Sequence, residues 1–177
     1  MNTTQIIILA LALVLLLGVV ILFNRFVLLR NKVDEAFSTM DVCLRKRFDL
    51  VPRMAEVVKG YAQYEAETLE KIVRARVEIS DISLRMKMEA GIGRALGEAV
   101  VAAEAYPTLK ASENFLDLQR ELSRIEEDIA SARRYYNGSV REYNTLIESF
   151  PANFLAQLFH YKRREMFVMD ESPRRNR

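Results

Sequence analysis

Absences narrow the field first. The 177 residues include one cysteine and one histidine. A single chain with that inventory cannot build a disulfide framework, a zinc finger or a Cys/His metal cluster. Tryptophan is absent, and glycine (6) and proline (4) are scarce, which argues against low-complexity disorder. Neither charge sign dominates: 26 Lys and Arg stand against 24 Asp and Glu, for a net +2. A near-neutral chain lacks the basic excess with which a nucleic-acid binder displaces counterions, so no nucleic-acid partner is expected.

What the chain does have is one long hydrophobic run. Residues 6–23 read IIILALALVLLLGVVILF, without a polar side chain. Eighteen residues at ~1.5 Å each span ~27 Å, close to a hydrocarbon core of ~30 Å. Phe26, Val27, Leu28 and Leu29 extend the run beyond Asn24 and Arg25, whose charge can snorkel to the interface. A cleaved signal peptide fits less well. No basic residue precedes the run, it exceeds an h-region of ~7–15 residues, and no Ala-x-Ala site follows. With no cysteine near its end, lipoprotein processing is not expected either. The expected anchor is a retained single-pass transmembrane helix within residues 1–29. Arg25, Arg30, Lys32, Arg45, Lys46 and Arg47 follow the run, whereas residues 1–5 carry no charged side chain. The positive-inside rule therefore predicts a cytoplasmic domain with a very short outer N-terminus, the opposite topology being the alternative.

The remainder reads as long helices. Val33, Phe37, Met40, Leu44, Val51, Met54, Val58 and Tyr61 follow three- and four-residue spacing. Arg47 interrupts this stripe, which continues through Leu69, Ile72 and Ile79. Pro52 lies inside it, predicting a kink near residues 50–52 or two helices meeting there. A second helix is expected over residues 82–106. Gly91, Gly93 and Gly97 weaken its signal and suggest close helix packing, with a hinge as the alternative. Pro107 breaks the pattern and Ser112 offers an N-cap. Phe115, Leu118, Leu122, Ile125, Ile129, Ala132, Tyr136, Val140, Tyr143, Ile147 and Phe150 then form the cleanest stripe in the chain. It covers about 36 residues, on the order of 54 Å, and needs a long antiparallel partner at a shallow crossing. Pro151 stops it and can start a short helix made apolar on one side by Phe154, Leu155, Leu158 and Phe159. No strand alternation appears. The fold class expected is all-α: one transmembrane helix followed by an antiparallel bundle of three or four helices. The expected domains are an anchor at 1–29, a bundle at 30–160 and a charged, disordered tail at 161–177, its end Pro173-Arg174-Arg175-Asn176-Arg177 above all.

Few residues suggest chemistry. His160 sits beside Tyr161-Lys162-Arg163-Arg164 and reads as a surface or membrane-facing group. A Glu-x-x-His pair on each of two helices cannot be made with one histidine. Glu126, Glu127 and Asp128 have no histidine at metal spacing and read as a solvated face. Gly91-Ile92-Gly93 follows no strand and is not a phosphate loop. No catalytic residue, cofactor, metal or small-molecule substrate is expected. Two constellations stand out instead. Tyr136-Asn137 and Tyr143-Asn144 repeat after seven residues, so they return to nearly one helix face. Interhelical hydrogen bonds that fix register are the plain reading, ligand binding the sharper one. Arg45, Lys46 and Arg47, with Asp41 at pair spacing from Arg45, are either a solvated, internally paired stretch or a partner-docking patch. Farther on, Phe154, Phe159, Phe167 and Met169 alternate with Lys162, Arg163 and Arg164. They either lie on an anionic membrane surface or pack on the bundle.

Several ordered motifs together resemble the LemA family. They are Leu29-Arg30-Asn31-Lys32-Val33-Asp34-Glu35-Ala36, Arg47-Phe48-Asp49-Leu50-Val51-Pro52 and Val57-Val58-Lys59-Gly60-Tyr61-Ala62. The series continues through Ala103-Glu104-Ala105-Tyr106-Pro107, Glu113-Asn114-Phe115, Ala132-Arg133, Tyr136-Asn137, Tyr143-Asn144 and Ser149-Phe150-Pro151. The resemblance covers most of residues 25–160. It implies a bacterial membrane-anchored protein with a long-helix bundle and no established enzymatic activity or catalytic residues. Phe37, Cys43 and Arg53-Met54 depart from the usual pattern, and residues 79–102 match poorly.

These readings converge on a non-enzymatic scaffold or adaptor of the inner membrane, its partner another membrane protein or a second copy of itself. Arg45, Lys46, Arg47, Tyr136, Asn137, Tyr143 and Asn144 are the candidate contact or register residues. The alternative is a self-associating, membrane-shaping protein that lays its C-terminal segment on lipid. An enzyme or small-ligand receptor is a third reading.

Overall fold

The computed structural model describes residues 2–59, 82–103 and 106–168. Five helices follow in order: α1 (Thr3–Lys59), α2 (Ile82–Ala103), α3 (Pro107–Lys110), α4 (Glu113–Glu148) and α5 (Ala152–Leu158). No strand occurs among the described residues. The architecture is all-α, as the periodicity requires. The expected continuation of the first stripe through Tyr61, Leu69, Ile72 and Ile79 lies outside the described residues, as does the tail from Met169 onward.

α1 runs 57 residues without a break, and Pro52 sits inside it. Two helices do not meet at Pro52. The first turn of the proline's own neighbourhood is locked by burial, since Leu50, Val51 and Met54 all lie in the core while Pro52 faces outward. Burial of these three side chains on one face offsets the lost backbone hydrogen bond. The N-terminal part of α1 holds an apolar window long enough to cross a membrane, none of it buried against the rest of the chain.

The chain divides into two compact units. The first combines Met1–Ser38 with Tyr135–Met166. Its core is Phe26, Leu29, Val33 and Ala36 from α1 against Tyr136, Val140, Tyr143 and Ile147 from α4. Lys32 pairs with Glu142 at 2.8 Å, and the Phe37 and Tyr136 rings lie 5.8 Å apart. As numbers rise along α1 they fall along α4, so the helices are antiparallel. The α4 stripe ends at Ile147; Phe150 was expected to close it but stands 80% exposed. α5 also departs from expectation. Ala152 and Ala156 face inward, and Phe154, Leu158 and Phe159 face out.

α5 ends in a Schellman arrangement. His160 N–H donates to the Gln157 carbonyl at 3.2 Å and Tyr161 N–H to the Ala156 carbonyl at 2.9 Å. His160 takes the left-handed conformation this turn needs, with φ 58°. The chain then runs back along α4 as a segment without regular structure. Tyr161 stacks on Phe26 with centroids 4.9 Å apart. The expected disorder from residue 161 is therefore corrected over 161–168: these residues are held by specific contacts.

The second unit combines Thr39–Arg134 with Phe167–Arg177. Met40, Leu44, Leu50, Val51, Met54 and Val58 of α1 pack with Ile92, Ala95, Leu96 and Ala99 of α2 and with Phe115, Leu118, Ile125 and Ile129 of α4. Leu109 of the single-turn α3 is also buried. Arg53 pairs with Glu121 at 2.8 Å and Arg47 with Glu126 at 3.1 Å, an antiparallel register again. Phe167 is buried here, and the Val168 N–H donates to Met86 Sδ. The predicted close packing of glycines is not found among the described residues: a Cβ at Gly91 or Gly97 would meet nothing within 4 Å. Only Gly93 has a neighbour, the Arg47 guanidinium.

Candidate functional site

Two polar constellations lie inside these units, and each is built from residues that helical spacing places on a core face. In the first unit, Tyr136, Tyr143 and Asn144 are buried on α4. The Tyr143 hydroxyl donates to the Lys162 carbonyl at 3.1 Å, and the Tyr136 hydroxyl donates to the Glu165 carbonyl at 2.9 Å. Between them, Asn144 Nδ2 donates to the Arg164 carbonyl and Asn144 Oδ1 accepts from the Arg164 N–H, each at 2.9 Å. Seven residues of helix advance ~10.5 Å. Three residues of extended chain advance about the same, ~10 Å. The seven-residue repeat is thus matched to a stretched segment lying antiparallel to α4. The expectation was a set of hydrogen bonds between helices; the partners are instead the backbone of residues 162–165. Asn137 is half-buried and Asn144 is buried, so the two asparagines do not occupy equivalent places.

Charge finishes the latch. Arg164 Nη2 reaches Asp34 Oδ1 at 3.1 Å. Burial pushes both phenols above the ordinary tyrosine range, Tyr136 against a smaller opposing pull from Arg164, and Tyr143 likewise. Nearby, the hydrogen bond between Lys32 and Glu142 raises the ammonium pKa and lowers that of the carboxyl, on side chains that remain in water.

In the second unit Arg47 is wholly buried. Its Nη2 donates to the Glu89 carboxylate at 2.5 Å and to the Glu89 carbonyl at 2.9 Å; its Nη1 donates to Glu126 at 3.1 Å. Nε has no partner. The reading of Arg47 as a docking residue is corrected, because a guanidinium with no exposed surface cannot meet another protein. It serves register. Arg45 and Lys46 are exposed, and Arg45 Nε donates to Asp41 at 3.0 Å as the four-residue spacing predicts. Glu126, read as solvated, is only partly so: it also closes the Arg47 centre.

Glu89 was missed. The signal was present, since Glu89, Ile92, Leu96 and Ala103 share one face of α2 and all are buried. A carboxylate on an apolar stripe and an arginine interrupting another are complementary demands, because neither charge is tolerated in a core alone. Asp34 and Arg164 left no such trace, being charged residues in charged stretches. Among the described residues, no group of three or more His, Cys, Asp and Glu side chains is placed to hold a metal.

A family model described as the LemA family matches residues 36–177. The chain belongs to the LemA family. The match begins in α1 and takes in Arg47, Glu89 and Glu126 as well as Tyr136, Tyr143, Asn144 and Arg164, while Lys32 and Asp34 lie just before it. Protein LemA of Metamycoplasma hominis is 30% identical over 132 residues, covering 72% of this chain and 60% of that protein. The magnetosome protein MamQ of Magnetospirillum gryphiswaldense is 34% identical over 79 residues, covering 45% of this chain and 29% of its own length. MamQ 1 of Paramagnetospirillum magneticum aligns to the same extent. This LemA family chain thus covers less than two thirds of the length of these curated relatives.

Proposed function

We propose that this LemA family chain is a membrane-anchored, non-enzymatic scaffold or adaptor of the bacterial inner membrane. One observation carries the reading. The polar side chains best placed for chemistry are committed to the chain's own structure: Tyr136, Tyr143 and Asn144 bind backbone, and Arg47 binds Glu89 and Glu126. What remains accessible is a charged helix surface suited to recognition. Arg45 and Lys46 belong to that surface and are the contact residues of this reading. The unburied apolar window of α1 supplies the anchor. Arg25, Arg30 and Lys32 after it favour a cytoplasmic domain.

The test is crosslinking in native membranes from a photoreactive residue at position 46, with mass spectrometry of the products. A reproducible membrane partner whose capture falls in the Arg45→Glu variant is the expected result. Capture of this chain alone would move the reading to a self-assembling scaffold. No capture from position 46 or from other exposed positions on α1 and α4 would reject it.

A further inference from the structure

α5 is too apolar on its outer side to be explained by the fold. Phe150, Phe154 and Leu158 recur every four residues and are 80%, 63% and 68% exposed. Phe150 and Phe154 meet edge to face at 6.0 Å. The opposite side of the helix, Ala152 and Ala156, is what the core takes. Three large side chains pointing into water in one row form a surface that needs an occupant.

The neighbours of that row name it. Phe159, also exposed, contacts Phe23 edge to face with centroids 5.3 Å apart. Phe23 is the last residue of the uninterrupted apolar run of α1. The patch is therefore continuous with the end of the candidate membrane span and lies within the same unit. Exposed cations follow each element in sequence: Arg25 and Arg30 after the apolar run of α1, and Lys162 and Arg163 just past α5. Arg163 also pairs with Glu148 at 3.3 Å. Aromatic and aliphatic side chains on one face, beside a span terminus and flanked by basic groups, are the features of an element that lies in a bilayer interface. The sequence motif of alternating aromatics and cations is meanwhile divided by the structure. Phe167 is buried and Arg164 is tied to Asp34, so neither is available to lipid.

We infer that α5, with Phe150 before it and Phe159 at its end, is an interfacial element, Phe150, Phe154, Leu158 and Phe159 being seated at the headgroup–acyl boundary of the bilayer that α1 crosses. It gives the protein a second membrane contact, far from the first in sequence. The inference rests on the reading of α1 as an anchor.

The absence of tryptophan makes the test direct. Single-tryptophan variants Phe154→Trp, Phe150→Trp, Tyr135→Trp and Leu16→Trp of the full chain are placed in nanodiscs containing anionic lipid. Quenching is then read with lipids labelled at shallow or deep acyl positions and with aqueous iodide. The expected result is that Phe154→Trp and Phe150→Trp lose most of their emission to the shallow label, ~5–10 Å below the surface, and little to iodide. Tyr135→Trp should respond to iodide alone, and Leu16→Trp to the deep label. Iodide quenching of both α5 variants, with Leu16→Trp still quenched by lipid, would overturn the inference and leave the anchor standing. If neither lipid nor iodide reached the α5 variants, the patch would be covered by protein, a second copy included, and the inference would again fall. Loss of lipid quenching at Leu16→Trp would overturn the anchor and α5 placement together.

Discussion

The Asn144 side-chain amide pairs with the main chain of Arg164: it donates to the carbonyl and accepts from the N–H of that one residue, and both bonds are 2.9 Å. Twenty residues and a turned helix separate them in sequence. The pair satisfies both main-chain polar groups of Arg164 at once, so no other side chain of similar size reproduces it. Aspartate lacks the donor and leucine lacks both groups.

The first prediction follows. Asn144→Leu should lower stability by about 2–4 kcal/mol, because it strands two half-buried backbone groups. Amide hydrogen exchange in residues 162–166 should accelerate much more than in the middle of α4. Equal protection of the segment in the variant would count against the latch.

A second prediction concerns the buried charge. Removing Glu89 leaves the buried Arg47 with only the part-exposed Glu126 as a counter-charge, so Glu89→Ala should cost about 3 kcal/mol, the low end for a broken buried pair. Replacing both, Arg47→Met with Glu89→Leu, should recover much of that loss, since an apolar pair of similar volume needs no desolvation. Denaturant unfolding of the singles and the double would give the coupling. Additive losses would show that Arg47 and Glu89 do not act as a pair. Arg47→Glu, which puts a carboxylate beside Glu89, is expected not to fold.

A third prediction is a pH dependence at the alkaline end. Burial holds the Tyr136 and Tyr143 phenols above their ordinary value, which is about 10 in the unfolded chain. The folded state therefore binds these protons more tightly. Its advantage is complete below about pH 10 and is lost as pH rises through the higher folded-state values. The wild-type denaturation midpoint should fall steeply in that window. Tyr136→Phe with Tyr143→Phe should start lower at neutral pH and show a flatter alkaline decline. Identical slopes would reject the assignment.

The glycines of α2 supply a fourth. Gly91 and Gly97 have open space where a Cβ would go, so alanine at either should stabilise the helix by up to about 1 kcal/mol. At Gly93 the added carbon would lie 3.4 Å from Arg47 Nη1. That contact should reduce the gain. Thermal unfolding of the three single variants should rank Gly93→Ala last.

The helices were legible because burial imposes a period. Leu44, Met54, Ile129 and Val140 fall on predicted stripes and are buried. Arg47 was legible as an interruption but not as a centre, since its partner Glu89 lies on a helix whose glycines obscured the pattern. Periodicity failed most plainly at α5. It reports that one side is apolar, and cannot say whether protein or lipid is the solvent for that side. The latch failed for a different reason: Tyr136, Tyr143 and Asn144 bind peptide groups, which every residue has, so the segment 162–165 carries no matching sequence mark.

α1 contains no joint between Phe23 and Ser38. The rod that would enter the bilayer is the rod whose inner face holds Phe26, Leu29, Val33 and Ala36. There is no swivel at the water line. Rotating the span about its axis by one residue, some 100°, would turn that inner face away from Tyr136 and Tyr143. With α1 as the anchor, any tilt the helix took up to match the thickness of the lipid would be passed without loss to Tyr136, Tyr143 and the segment they hold.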